Sequence, residues 1–263
     1  MLRLLYLILL FELLFISSAF SQDEPYKEKR RVYFTWGWNK DWFTKSNLHF
    51  SDPTWSYNFT LYGVSAHDNP RYDYVPTGLE DFSIPQYSYR LGWLFKNQSY
   101  SGIEINFDHA KYIIDSVQTV HLKGTIDESV FDQDTLLTKE FLKFEHTNGA
   151  NFYLINYFRG KDLFVRPKFS ITAIGKAGAG VVVPKTDVTI FTYHLDNRYH
   201  LAGWMVGLEG DIRFLFWSHL YVEGGLKLAY CDYMNVLVIG DGNAHHTFGA
   251  MEAIWGLGYQ AAF

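Results

Sequence analysis

The sequence has almost no cysteine and little excess charge. Cys231 is the only cysteine among 263 residues, so an intramolecular disulfide is excluded. After residue 21 there is no run of 18 apolar residues, which excludes a helical membrane domain there. The formal net charge is −5, and this acidic balance argues against nucleic acid as a partner.

The first residues form the one long apolar segment. Arg3 gives a positive start, residues 4–20 are almost wholly apolar, and Ala19 and Ser21 place small residues at −3 and −1 of a cleavage site. This pattern predicts a secretory signal peptide over 1–21. A transmembrane anchor is the alternative, since the run is nearly long enough to cross a bilayer. A short charged periplasmic lead-in over 22–31 follows.

Aromatic residues are abundant, at 19% of the chain, and they recur with a period of two. The last strand shows this best, because every second residue from Met251 to Phe263 is apolar while the residues between are smaller or more polar. A period of two indicates a strand with two unlike faces. The same alternation occurs near residues 32–41, 86–95, 102–108, 168–177, 206–216 and 222–230.

The signal peptide, the aromatic alternating last strand and the terminal Phe263 together resemble bacterial outer-membrane β-barrels. The resemblance implies an all-β fold, a transmembrane antiparallel up-and-down barrel in the cell outer membrane. It also implies contact with outer-membrane lipids and lipopolysaccharide, and recognition of the last strand, ending at Phe263, by the barrel-assembly machinery. A monomer is expected. A soluble β-sandwich is the alternative fold, since its strands would alternate as well.

Turn lengths predict the topology of this barrel over residues 32–263. Tight turns at 96–99, 159–162 and 217–219 alternate with long connections at about 50–85, 114–140, 184–200 and 232–246. Membrane barrels have short periplasmic turns and long extracellular loops, so the long connections are assigned to the outside. Eight strands result. Tyr57–Val64 also alternates, as an extracellular hairpin or as part of an extra pair that would make ten strands.

The inward faces of the predicted strands are rich in charge of both signs. An eight-stranded barrel has an interior just filled by side chains, so buried charges must pair. A polar plug is therefore favoured over a water-filled pore. The predicted interior network comprises Arg90, Glu104, Asn106, Lys168, Lys176, Glu209, Asp211, Arg213, Glu223, Lys227 and Glu252.

A polar cluster is predicted at the outer ends of three strands. Its candidate catalytic residues are Asn39, Asp41, Asp108, His109, His146 and Asn148. A histidine beside an acid and amide donors suits a general base and oxyanion stabiliser in ester hydrolysis.

Short segments of this cluster resemble two families of lipid A deacylases. The segment from Asn39 to Ser46 resembles the opening Asn-Asp…Phe…Thr pattern of the 3′-O-deacylases, and 146–149 resembles the His-x-Ser-Asn motif of the 3-O-deacylases, with Asn148 in place of Ser. Asn39, Asp41 and His146 are the matching positions.

Three functions remain open from the sequence. The favoured one is a non-enzymatic barrel that is structural or binds a ligand or surface through its extracellular loops. The alternatives are an outer-membrane acyl hydrolase acting on lipid A or phospholipid, and a narrow channel. The histidines near 194–200 and 245–246 match no closed ligand spacing, so neither a metal nor a cofactor is expected.

Overall fold

The computed structural model describes residues 30–70, 86–96 and 100–263, and the regular structure in them is β-strand. The predicted signal peptide, and the lead-in except residues 30 and 31, lie outside these ranges. No helix in the described ranges is long and apolar enough to cross a membrane. The strands are β1 (Arg31–Phe43), β2 (Ser46–Asp52), β3 (Tyr57–Val64), β4 (Ala66–His67), β5 (Ser88–Leu94), β6 (Tyr100–Asp108), β7 (Tyr112–Ile114), β8 (Gln118–Ile126), β9 (Ser129–Leu137), β10 (Leu142–His146), β11 (Phe152–Arg166), β12 (Phe169–Val182), β13 (Asp187–Ile190), β14 (Tyr193–Asp196), β15 (Gly203–Phe216), β16 (Leu220–Leu237) and β17 (Asn243–Ala262).

Eight of these strands form a closed antiparallel barrel, in the order β1-β5-β6-β11-β12-β15-β16-β17. The barrel closes where β1 pairs with β17 over thirteen residues, from Arg31 opposite Ala262 to Phe43 opposite Ala250. Closure leaves no free edge in this part of the sheet. The prediction of an eight-stranded up-and-down barrel is therefore confirmed, and Tyr57–Val64 forms β3 outside the ring.

Large apolar side chains cover the outside of the barrel. They alternate with buried residues along each strand, as in β5, where Tyr89, Leu91 and Trp93 are exposed and the residues between them are buried. In β11 the residues Tyr153 and Tyr157 face outward, as the sequence predicts. Such a continuous apolar belt is the surface that a lipid bilayer requires of a barrel.

The short connections lie together at one end of the barrel. The predicted turn at 217–219 joins β15 to β16, but the predicted turn at 159–162 is wrong. Those residues remain paired to β12, and the chain turns at Pro167 and Lys168 instead. Proline has no N–H to donate to a ladder, which ends the strand there. The predicted turn at 96–99 falls mainly outside the described residues.

The long connections at the other end fold into a compact cap, which we define as β2–β4, β7–β10, β13 and β14 together with the adjoining ends of β16 and β17. One part, β2-β3-β8-β9, continues the barrel sheet from the start of β17, and the other is a five-stranded sheet in the order β14-β13-β10-β7-β4. The two pack around an apolar core that includes Leu48, Phe59 and Phe144, each 1% exposed or less.

Candidate functional site

The middle of the barrel interior holds a network of buried charges. Lys176 lies at its centre, with Nζ 3.0 Å from a carboxylate oxygen of Glu104 and 2.9 Å from oxygens of both Glu209 and Asp211. Burial of an unpaired charge costs several kcal/mol, so Lys176 is the counter-ion that makes this group of carboxylates tolerable.

Arg90 and Lys227 extend the network across the barrel. Arg90 donates from Nε and Nη2 to the two oxygens of Glu209, at 3.2 and 3.1 Å. Lys227 pairs with Asp108 and donates to Oδ1 of Asn106 at 2.9 Å. The bidentate geometry is the strong form of the arginine–carboxylate pair. Because these residues come from β5, β6, β15 and β16, their side chains cross the interior and fill it.

An aromatic layer closes the interior beneath the charges, near the short turns. The Arg213 guanidinium carbon lies 4.2 Å from the ring centroid of Tyr33 and 4.0 Å from that of Tyr221. Its Nε donates to Glu223 at 2.6 Å. Cation–π contacts gain strength where water is excluded, so Arg213 ties this aromatic layer to the network above it.

Most of the predicted interior residues lie inside the barrel. Lys168 is the exception, because it is exposed in the turn between β11 and β12 and faces no interior. With Lys168 outside, the interior carries more carboxylates than bases. The residues placed inside, each 4% exposed or less, are Arg90, Glu104, Asn106, Lys176, Glu209, Asp211, Arg213, Glu223, Lys227 and Glu252.

Asn39 and Asp41 belong to a second polar group, between the barrel and the cap. Oδ2 of Asp41 accepts hydrogen bonds from Asn39 at 3.1 Å and from Gln86 at 2.9 Å, and the Asp41 amide donates to Asp68 at 2.8 Å. Burial raises the pKa of Asp68, partly offset by Lys40, whose Nζ lies 3.1 Å away. None of these contacts involves a histidine.

Asp108 and His109 are adjacent in sequence but turn to opposite sides of the strand. Asp108 faces the interior and pairs with Lys227. His109 follows the end of β6, where Nδ1 lies 2.9 Å from Oδ1 of Asn151 and the ring stacks on Tyr87 at 4.9 Å. A period of two separates the faces of neighbouring residues, so the two side chains do not form an acid–base pair.

His146 is buried in the core of the cap. Its Nδ1 lies 3.1 Å from the hydroxyl of Thr186, its Nε2 lies 3.5 Å from Nε2 of His246, and its ring stacks on Tyr233 at 5.2 Å. Burial lowers the pKa of His146 to about 3, with a smaller contribution from His200. The ring is therefore neutral at physiological pH and has no access to solvent or lipid.

Asn148 lies apart from the other predicted catalytic residues. It is exposed in the turn after β10, where its carbonyl accepts a hydrogen bond of 2.7 Å from Tyr199. The candidates therefore lie in the barrel interior, at its rim, in the cap core and on the surface. Among the described residues, the hydrogen bonds of His109 and His146 go to Asn151, Thr186 and His246 and to none of the other candidates.

The sequence reading missed His246 and Thr186 as the neighbours of His146. The inward phase of β17 includes Phe248 and Glu252, and its extension upward places His246 inside and His245 outside. The alternation of inward and outward residues along β17 could therefore have predicted that His246 is buried. Thr186 immediately precedes β13, and the antiparallel register that pairs Glu145 with Asp187 brings it opposite His146 in the same sheet. The two residues lie 40 positions apart, so no local pattern shows this contact.

Three other histidines of the cap, at positions 194, 200 and 245, contact groups near its surface. Nε2 of His194 lies 2.7 Å from Asp187, and Nε2 of His245 lies 3.0 Å from Asp232. His200 is hydrogen-bonded to the carbonyl of Asn235. Within the ranges that the structure describes, no group of three or more His, Cys, Asp or Glu side chains is placed to hold a metal ion.

The hairpin of β8 and β9 is the outermost part of the cap sheet. On its solvent face, Lys123 contacts Asp132 at 3.0 Å, and His121 contacts both Asp132 at 2.8 Å and Asp134 at 3.0 Å. Val130, on the same face, is 80% exposed. The sheet ends at β9, which has one partner strand among the described residues.

No family model and no curated protein matches the sequence. Among solved structures, the chain is similar to the attachment invasion locus protein Ail of Yersinia pestis, with 9% identity, a TM-score of 0.31, and 89% of this chain and 99% of that chain covered. It is similar to the outer membrane protease OmpT of Escherichia coli, with 8% identity, a TM-score of 0.38, and coverages of 92% and 99%. It is also similar to neisserial surface protein A, with 8% identity, a TM-score of 0.28, and 85% of this chain and 96% of that chain covered.

These TM-scores are too low to support an argument about function, and the fold is established by the strand pairing of the chain itself. The barrel ring is closed by β1 and β17, its outer surface is an apolar belt, and its interior is filled by paired charges above an aromatic layer. Each of these features is what a lipid-embedded barrel of small diameter requires. The chain is an eight-stranded transmembrane β-barrel of the outer-membrane type.

Proposed function

We propose that the protein is a membrane anchor that displays its cap at the cell exterior and binds a macromolecular ligand there. The observation that carries this proposal is the apolar core of the cap. It joins residues of both cap sheets, among them Leu61 of β3, Leu142 of β10 and Val188 of β13, all nearly inaccessible. A core of this kind holds the long loops in one conformation, so less conformational entropy is lost when the cap binds a ligand. This favours a ligand-binding role for the cap over a role that is limited to covering the end of the barrel.

The barrel itself supports an anchoring role. Its charged residues are buried beside their partners, and Arg213 with Tyr33 and Tyr221 fills the level below. Ion pairs that span the interior, such as Arg90 on β5 with Glu209 on β15, would obstruct a narrow channel. The outward belt would contact membrane lipids and lipopolysaccharide, and the strand ending at Phe263 would be the segment that the assembly machinery reads.

The arrangement does not favour an acyl hydrolase. A general base has to lie within hydrogen-bonding reach of a nucleophile and face the substrate. His146 is buried among aromatic rings, and His109 contacts Asn151 rather than a carboxylate. Neither histidine has the neighbours that ester hydrolysis needs.

The test uses the full chain refolded into lipid nanodiscs and applied to arrays of glycans and of extended polypeptides. We expect saturable binding to at least one class, and weaker binding in the variant Phe144→Ala, which opens the core that holds the cap in one shape. Empty nanodiscs are the control. A protein that binds no array component, or that instead gives unitary conductance in planar bilayers or alters lipid A mass spectra, would refute the proposal.

A further inference from the structure

Strand β9 is the last strand of its sheet, and among the described residues nothing pairs with the backbone groups on its outer edge. It is nine residues long, Ser-Val-Phe-Asp-Gln-Asp-Thr-Leu-Leu, with no proline, glycine or lysine and no irregularity in its pairing with β8. Natural edge strands are usually shortened, bulged, covered or charged, because an open row of N–H and C=O groups pairs with other chains. Among the described residues, β9 has only one of these devices, the charge of Asp132 and Asp134, and both charges have the same sign.

The side chains of β9 define what would pair with it. Its solvent face reads Val130, Asp132, Asp134, Leu136, so two carboxylates stand between two apolar residues. Val130 is 80% and Leu136 is 56% exposed. Directly across the strand pair, the register places Lys123 opposite Asp132. The face therefore alternates in sign from β8 to β9, and a next strand of positive charge would continue the alternation.

The same pattern disfavours a second copy of the chain as the occupant. In an antiparallel pair of two β9 strands with this face aligned, Asp132 falls opposite Asp132 or Asp134, or opposite Val130 or Leu136 after a shift. Like charges directly opposite are destabilising, and a carboxylate against an apolar side chain gains nothing. The partner has to be a different, basic strand.

We propose that β9 receives an extended peptide of the pattern apolar–x–basic–x–basic–x–apolar, added as the next strand of the cap sheet. The basic side chains pair with Asp132 and Asp134, and the apolar ones cover Val130 and Leu136. Backbone hydrogen bonds along β9 supply the common part of the affinity, and the alternate side chains supply the specificity. This inference rests on the proposed surface-binding function and names its partner class.

The test measures fluorescence anisotropy of labelled nine-residue peptides against the full chain in nanodiscs. One peptide has the sequence Thr-Val-Thr-Lys-Thr-Lys-Thr-Val-Thr. A matched peptide carries glutamate in place of both lysines. We expect the lysine peptide to bind roughly fivefold or more tightly. N-methylation of the amides on one edge of the peptide should abolish binding, while methylation on the opposite edge should be tolerated.

A charge-reversed protein makes the test specific for β9. In the double variant Asp132→Lys, Asp134→Lys the preference should invert in favour of the glutamate peptide, while Asp196→Lys, at an exposed site on β14, should leave it unchanged. Equal binding of both peptides, indifference to N-methylation, or no binding of either overturns the inference. If arrays still detect a cap ligand in that case, the proposed function stands and only the β9 site fails.

Discussion

Replacement of Lys176 by methionine should destabilise the barrel more than any surface change. Nζ of Lys176 has no exposed surface and lies within 3.0 Å of Glu104, Glu209 and Asp211, and 3.5 Å from Glu223. Methionine keeps the length and apolar volume of the side chain but removes the charge. The carboxylates would then face one another in a site closed to water.

The magnitude follows from the number of charges that lose their counter-ion. Removal of one partner from a buried ion pair costs about 3–5 kcal/mol, because the remaining charge stays desolvated. Arg90 still neutralises Glu209, and Arg213 still neutralises Glu223. Glu104 keeps a longer contact with Arg90, at 3.8 Å, so Asp211 is the one carboxylate that loses its counter-ion. The expected loss is therefore about 3–5 kcal/mol.

The assay is reversible urea unfolding in phospholipid vesicles, followed by tryptophan fluorescence and by the shift in gel mobility of the folded barrel. A midpoint lowered with unchanged m-value reports stability alone. Asp211→Asn in the Lys176→Met background should recover part of the loss, because it removes the carboxylate that has lost its counter-ion.

Lys185→Met is the matched control, since Lys185 pairs with the exposed Asp196 on the cap at 2.7 Å. Exposed ion pairs contribute about 0–1 kcal/mol, so this change should be small. If Lys176→Met costs no more than Lys185→Met, the ion network does not stabilise the barrel and the reasoning fails.

Three further predictions concern the cap and the barrel wall. Phe144→Ala should destabilise the cap by about 3–5 kcal/mol, because it opens a cavity in a closed aromatic core; loss of protease resistance in the cap measures it. The pKa of His146, about 3 against an ordinary 6.5, means that the unfolded chain binds a proton that the folded chain does not. The free energy of unfolding therefore has its full value above pH 6.5 and falls as the pH is lowered toward 3, by about 2 kcal/mol between pH 7 and pH 5. In urea titrations at several pH values, His146→Gln should make this dependence on pH less steep. Gly180→Ala should impair barrel folding, since a Cβ there would collide with the carbonyl oxygen of Tyr153, whereas Gly210→Ala, with open space around it, should show the gel mobility of the folded barrel.

The barrel was predictable because its signal is local. Alternation along each strand follows from the two faces of a β-strand, so Tyr153, Ile155 and Tyr157 could be assigned outward from their spacing alone. The exact turns were less accessible. The stretch 159–162 has the composition of a turn, yet it continues in register with β12 because Pro167 ends the strand instead. That misreading placed Lys168 in the interior.

The cap and its residues could not be derived from the same signal. Gly149 has φ +119° and Asn151 has φ +39°, so the phase of β11 does not continue to His146. β10 pairs with β7 and β13 rather than with a barrel strand. Contacts such as His146 with His246, a hundred residues apart, depend on the packing of one sheet on another. Periodicity gives the face of a residue but not its partner on the opposite sheet.

The length of β17 bears on how the protein would behave under mechanical load. Its first residues pair with β2 in the cap, and its later residues pair with β1 in the barrel wall. A pull on β9 would pass through β8, β3 and β2, and from β2 to the barrel by two routes, across the ladder to β17 and along the chain through residues 44 and 45 to β1. The ladder between β2 and β17 has only four residue pairs, fewer than the other ladders on this path, so we expect it to open first while the covalent link to β1 holds. The cap could then extend under tension while its anchor stays in the membrane.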